Sequence, residues 1–200
     1  MTRHRPRRRL ALALLLVLPA LARGSDWTID PAHTSAGFAV RHMMVSTVRG
    51  TFGTVRGRVT LDPNDLTKSS VDASIDAATI DTRNEKRDAH LRSADFLDVE
   101  RYPTIGFRST RVTPAAGGHW RVEGDLTLHG VTRPVVLDVE GSPTPTVDAL
   151  GKPRLGGSAS TKISRKDFGV VWNKALETGG VAVGDEVAIT IDVELVPAGD

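Results

Sequence analysis

The stretch EVAITIDVEL, Glu186–Leu195, alternates without a break: Val187, Ile189, Ile191, Val193 and Leu195 fall on one face, and Glu186, Thr190, Asp192 and Glu194 on the other. A period of two is the mark of a β-strand with one face on an apolar interior and one in water. Working back through the chain, the same pattern recurs in GFAVRH (Phe38, Val40, His42), RVTL (Val59, Leu61), VDASID (Val71, Ala73, Ile75), TIGFRS (Ile105, Phe107), WRVEGDLTL (Trp120, Val122, Leu126, Leu128) and VVLDVEG (Val135, Leu137, Val139). Turn formers separate these runs: Asp62–Asp65, Pro114–Gly118, His129-Gly130 and Pro143–Pro145. Short connections favour antiparallel meanders over βαβ units. The expectation is an all-β protein of about eight antiparallel strands, which leaves a sandwich or a closed barrel. Small inward residues (Ala36, Ala73, Ala77, Gly157, Ala159, Thr161) tilt the choice toward a barrel with a lumen, since eight strands enclose just enough room for one small ligand.

At 200 residues the chain is long enough for one domain with a substantial core. Residues 1–22 read as a signal peptide, leaving 23–200 as the single domain. MTRHRPRRR is a basic n-region and LALALLLVLPALA a short apolar run ending in Ala20-Leu21-Ala22. Leu10–Leu18 is far shorter than the ~20 apolar residues of a spanning helix. The arginines Arg7–Arg9 leave Sec and twin-arginine export both open. Cleavage after Ala22 removes five arginines and turns a formal charge of +2 into −3, with 21 basic against 24 acidic residues. A mildly acidic chain with 4% aromatic residues does not fit nucleic acid. The absence of cysteine excludes thiol catalysis, thiolate zinc sites and disulfide scaffolding. The expected location is the periplasm or the extracellular space.

One segment breaks the alternation. TRNEKRDAHLRSADFLD, Thr82–Asp98, carries the densest run of ionisable groups. Thr82 and Glu85 fit a capping box, which predicts a helix over about 83–93, with Leu91 and Phe96 turned toward the strands. Arg87, Asp88 and His90 could be drawn as an acid–base set, but no nucleophile motif, P-loop or dinucleotide fingerprint accompanies them. His33, His42, His90, His119 and His129 match no metal-ligand spacing, and Asp62–Asp65 lacks the pattern of a calcium loop. No catalytic residue, metal or cofactor is expected.

Several ordered motifs carry a resemblance: WTIDPAH (Trp27–His33), FAVRH (Phe38–His42), GTF (Gly50–Phe52), RDAHLRSADF (Arg87–Phe96), YPTIGF (Tyr102–Phe107), GDLTLHG (Gly124–Gly130), RKDFG (Arg165–Gly169) and the closing GDEVAITIDVEL. From Asp26 to Pro197 the chain resembles the YceI-like family of exported lipid-binding proteins. The resemblance implies an extended, lipocalin-like, eight-stranded antiparallel barrel whose lumen holds a polyisoprenoid or isoprenoid-quinone-type chain, without catalysis. Another amphiphile, such as a fatty acid or its amide, is the alternative ligand, and an enzyme using His90 and Asp88 a further one. Strand parity nominates Phe38, Val40, Ile75, Phe107 and Leu126 as lumen lining. Phe52, Phe168 and Trp172 join them, with Gly53 and Gly169 able to shift the register. His42 either meets the ligand's polar end or satisfies a buried backbone group. Where relatives tend to carry two aromatics after the acidic residue, Phe96 is here followed by Leu97. A homodimer through the final strand is compatible with the pattern, though no feature demands one.

Overall fold

A computed structural model describes residues 25–177 and 179–199; the expected signal peptide lies outside the described residues. Twelve strands form one antiparallel sheet: β1 (Ser25–Ile29), β2 (Ser35–His42), β3 (Ser46–Phe52), β4 (Val55–Leu61), β5 (Ser70–Asp76), β6 (Ile80–Asp81), β7 (Thr104–Pro114), β8 (Trp120–Leu128), β9 (Val131–Gly141), β10 (Thr146–Val147), β11 (Pro153–Ser164) and β12 (Val183–Pro197). The helix α1 (Glu85–Arg92) stands between β6 and β7. The order β1-β4-β5-β7-β8-β9-β11-β12 returns to β1, so eight strands close a barrel. Closure leaves no free edge around the ring.

Fifteen residues long, β12 is the hinge of the closure. One edge pairs with β11 from Ser164↔Glu186 to Leu155↔Leu195. The other pairs first with β2, from Val183↔His42 to Asp192↔Ser35, and then with β1 at Leu195–Pro197. Strands β2 and β3 are thus upward continuations of β1 and β4 after a break. The break between Phe52 and Val55 shifts parity by one, so both residues face inward across it. Gly53 sits in that gap, as its register-shifting character suggests.

Turn chemistry accounts for the β8–β9 hairpin. Its two linking residues, His129 and Gly130, both have positive φ (51° and 72°), the conformation that two-residue hairpins demand. A Cβ at position 130 would lie 2.4 Å from the Tyr102 ring, so glycine is needed there on two counts.

The two ends of the barrel differ. At one end Trp27, Ile29, Ala36, Val55, Leu155 and Leu195 pack into a solid core, each large side chain contributing about 1.5–3 kcal/mol. Trp27 keeps its indole N–H satisfied on Ser25 Oγ at 2.9 Å. At the other end α1, the 94–102 segment, the 3-10 turn Arg165–Phe168 and the described residues of the loop that follows, 169–177 and 179–182, cover the strand ends. No helix among the described residues is long and apolar enough to cross a membrane.

Candidate ligand cavity

Between core and cover lies a cavity of about 330 Å³. Parity builds it: the inward positions of β2, β5, β7 and β8 bring Phe38, Val40, Ile75, Phe107 and Leu126 onto its wall, and Phe52 joins from the end of β3. Leu91, Phe96 and Leu97 close it from the covering segment, and Val170 and Val183 from the loop side.

Two glycines make the room. In β3, Gly50 lies opposite Phe38, and a Cβ there would come within 2.5 Å of the Phe38 ring. In β8, Gly124 pairs with Ser109, two positions from Phe107, and a Cβ there would come within 2.5 Å of the Phe107 ring. Each ring takes the space that a side chain on the neighbouring strand would need. The wall is therefore aromatic while the lumen stays open.

Three positions chosen from the sequence fall outside this wall. His42 follows the inward parity of Phe38 and Val40, but at the end of β2 it is exposed and stands off the wall, although its partner Val183 lines it. Phe168 is buried in the 3-10 turn, yet it is Arg165 and Val170 on either side that reach the cavity. Trp172 packs edge-on to His90 (4.9 Å between ring centroids) and against Phe96 (5.1 Å), so it braces the cover from behind.

The charged stretch 82–98 proves to be that cover, with a different cap from the one expected. Asn84 caps α1, its Oδ1 accepting from the Arg87 amide at 3.0 Å. Thr82 is buried instead, donating its amide (2.9 Å) and its hydroxyl to the Asp88 carboxylate. Arg87 reaches back to Thr82 Oγ1 (2.7 Å) and the Thr82 carbonyl (2.9 Å). Arg92 donates to the carbonyls of Ala78 and Ile80, both at 2.7 Å. These charges tie the helix to the strand before it. Asp88 and His90 serve different partners, His90 pairing with Asp95 at 2.8 Å.

Burial works against ionisation of Asp88, but hydrogen bonds from the Thr82 hydroxyl and the Thr82 and Asn84 amides, with Arg92 nearby, outweigh it and hold the carboxyl below its usual range. A depressed folded-state pKa means stability that is present above the unfolded pKa and lost as pH falls through the folded one. Acid should therefore loosen the cover. Asp88→Asn should destabilise it by about 1–3 kcal/mol, because an amide can no longer accept from all these donors. Faster hydrogen exchange at the 82–92 amides, with the strand amides unchanged, is the expected readout; unchanged exchange at 82–92 would contradict it.

Polar side chains on the wall are few: Thr34, Ser158, Thr161 and Arg165. Thr34 Oγ1 accepts from the Glu194 amide at 3.1 Å. Arg165, 4% exposed, donates to the carbonyls of Val170 (2.7 Å), Trp172 (2.9 Å) and Gly184 (2.9 Å), and lies 3.3 Å from Asp185 Oδ1. Burial lowers its pKa and Asp185 opposes the shift, but a guanidinium stays charged at any working pH. Its charge is used to bind loop to strand, and none faces the lumen unpaired.

A further cluster was invisible in the sequence because its members lie 164 positions apart: Asp30, His33 and Glu194, whose ligand atoms fall within 4.8 Å of one another. Arg154 occupies the position a cation would take, with Nη1 3.4 Å from Asp30 and 3.5 Å from Glu194. Hydrogen bonds from His33 and the Ala32 amide lower the Asp30 pKa, and Asp30 and Glu194 raise that of His33. The cluster is neutralised by the protein itself, outside the cavity. Four of the five described histidines are similarly held one by one, on Asp30, Asp95, Asp138 and the Phe168 carbonyl.

Comparison with known proteins agrees with this architecture. The family model described as the YceI-like domain matches residues 27–195. A UPF0312 protein of Vibrio cholerae is 37% identical over 163 residues, covering 80% of this chain and 86% of the relative. Among solved structures, Burkholderia cenocepacia BcnA superposes with a TM-score of 0.72 at 24% identity, over 83% of this chain and 98% of its own. A polyisoprenoid binding domain from Saccharophagus degradans, implicated in plant cell wall breakdown, superposes with a TM-score of 0.63 at 14% identity, over 86% and 98%.

Proposed function

This chain belongs to the YceI-like family, and from that premise we propose that it is an exported carrier whose barrel holds the chain of an isoprenoid lipid, of the polyisoprenoid or isoprenoid-quinone type, for transport, storage or sequestration. The observation that carries the reading is the cavity: an apolar, partly aromatic wall around about 330 Å³, with few polar side chains and with the charged one, Arg165, already hydrogen-bonded. Such a wall binds by area, about 0.8 kcal/mol for each methylene removed from water. The polyisoprenoid binding named for the Saccharophagus degradans domain, which shares the fold, adds support.

An apolar wall discriminates chains poorly, so head-group chemistry decides between ligand classes. A fatty acid brings a carboxylate that costs several kcal/mol to bury without a partner. Arg165, the charged side chain on the wall, has its donors on carbonyls. The lumen suits a neutral chain. No catalytic step enters this reading, since Asp88 and His90 are spent on holding the cover.

Solvent extraction of the protein purified from its native host, followed by mass spectrometry, tests it. A neutral isoprenoid lipid in near-equimolar amount is the expected result. A fatty acid in its place would move the assignment to the alternative amphiphile. A reproducibly empty protein would remove lipid carriage altogether.

A further inference from the structure

The mouth of the barrel carries an apolar tip that the lumen does not explain. Eight large hydrophobic side chains are exposed among the described residues, and five of them, Met43, Met44, Val45, Val171 and Val181, lie at the covered end. Met44 is 56% exposed, Val45 79% and Val171 63%. The first three form the β2–β3 turn, and the Met43 amide donates to the Ala182 carbonyl at 2.8 Å, joining that turn to the loop that carries Val171 and Val181. Water is a poor environment for so many apolar side chains grouped at one end, and exposed apolar surface of this kind marks an interaction site.

The backbone of the turn sharpens the point. Val45 donates to the His42 carbonyl at 3.1 Å, and both central residues have positive φ, Met43 at 50° and Met44 at 62°. Hairpins give this conformation to Asn-Gly, because side chains with a full Cβ and Cγ are strained in it. Here two long, flexible, apolar side chains occupy it and point outward, bringing strain and exposure together. Neither fold stability nor solubility is served by that choice.

The charges around the tip indicate what covers it. Arg41, at the base of the turn, donates to the Met44 carbonyl at 2.7 Å and to Thr47 Oγ1 at 3.1 Å, holding the turn in shape. Arg41, Arg49 on the same outer face of the hairpin, and Lys174 in the adjoining loop have no carboxylate within ion-pair distance among the described residues. Of the acidic groups nearby, Asp185 is paired with Lys166 (2.8 Å) and Arg165, which leaves Glu177. Apolar side chains at a tip, with unpaired basic ones set behind them, match a bilayer: the first enter the acyl boundary and the second meet anionic head groups. The tip is also continuous with the cavity, because Val40 and Val183, two and one positions from the turn's anchors His42 and Ala182, line the lumen.

We propose that the Met43–Val45 turn, with Val171 and Val181, docks the covered end of the barrel on an anionic lipid bilayer, setting the lumen's mouth against the membrane. The proposal rests on lipid carriage for its purpose, but the docking is measurable without it. The test is flotation of the purified protein with vesicles of phosphatidylglycerol and phosphatidylethanolamine, against phosphatidylcholine alone, for the native chain and for Met43→Asn with Met44→Gly. That double variant restores the residues the turn prefers, so it should fold at least as well, and neither residue lines the lumen. The native chain should float with anionic vesicles, less so in high salt, and the variant should float about tenfold less, while its uptake of detergent-dispersed isoprenoid is unchanged. Absence of flotation by the native chain, equal flotation by the variant, or a concentration-dependent dimer that the variant abolishes with no flotation by either would overturn the docking. Flotation as expected with no isoprenoid uptake by either protein would leave the docking standing and remove the carrier reading.

Discussion

Arg165→Ala should destabilise the protein by roughly 3–5 kcal/mol, an outsized loss for a single polar side chain. The guanidinium is buried where the 3-10 turn, the loop after it and the start of β12 meet, and it gathers the carbonyls of Val170, Trp172 and Gly184. Removing it leaves those partly buried acceptors without their donor, and among the described residues of the loop the ladder is limited to the isolated bridge Ala175↔Val181. It also opens a void beside the cavity, where Arg165 is part of the wall. Arg165→Lys should recover little, since one ammonium cannot span carbonyls approached by Nε and Nη1 from different sides. Urea unfolding reads the effect as a lowered midpoint with an unchanged slope. A loss below about 1 kcal/mol would place the anchoring of this end elsewhere.

Ala159→Phe should abolish most ligand uptake while leaving the fold intact. Ala159 faces the lumen from β11, between Val139 and Ile191 on the neighbouring strands, and its small side chain is part of what keeps the interior open. A phenyl ring there occupies space that ligand would fill. Displacing about four methylenes costs about 3 kcal/mol, or a fall in affinity of about a hundredfold. The ring enters a cavity rather than a packed core, so stability should hold or rise. This separates it from core variants such as Trp27→Ala, which would weaken binding by unfolding the protein.

Much of this was legible in the chain because closed antiparallel barrels are built from period-two strands. The alternation of Glu186–Leu195 identified the longest strand, and the parity of Phe38, Val40, Ile75, Phe107 and Leu126 put each on the inner wall. Parity says which way a side chain points, not how far the lumen extends. His42 therefore looked like its neighbours Phe38 and Val40, although it stands off the wall. Phe168 and Trp172 lie in a turn and a loop, where no period applies, and tertiary packing places them behind the wall. The charged stretch 82–98 was readable as a helix that crosses the strand ends, but its cap was not: Thr82 pairs with Asp88 across a turn instead of opening the helix, a choice made by burial. Arg165 stood in a recognisable motif, RKDFG, without a visible task, because its partners lie 5 to 20 positions downstream, in the loop and at the start of β12.

The central claim is that the lumen binds an apolar chain. Calorimetric titration of the delipidated protein with an isoprenoid alcohol tests it most directly, run beside Ala159→Phe. Saturable one-to-one binding with a negative heat-capacity change, little affected by salt and lost in the variant, is what an apolar lumen predicts. No saturable binding, or equal binding by the native and lumen-filled proteins, would contradict it.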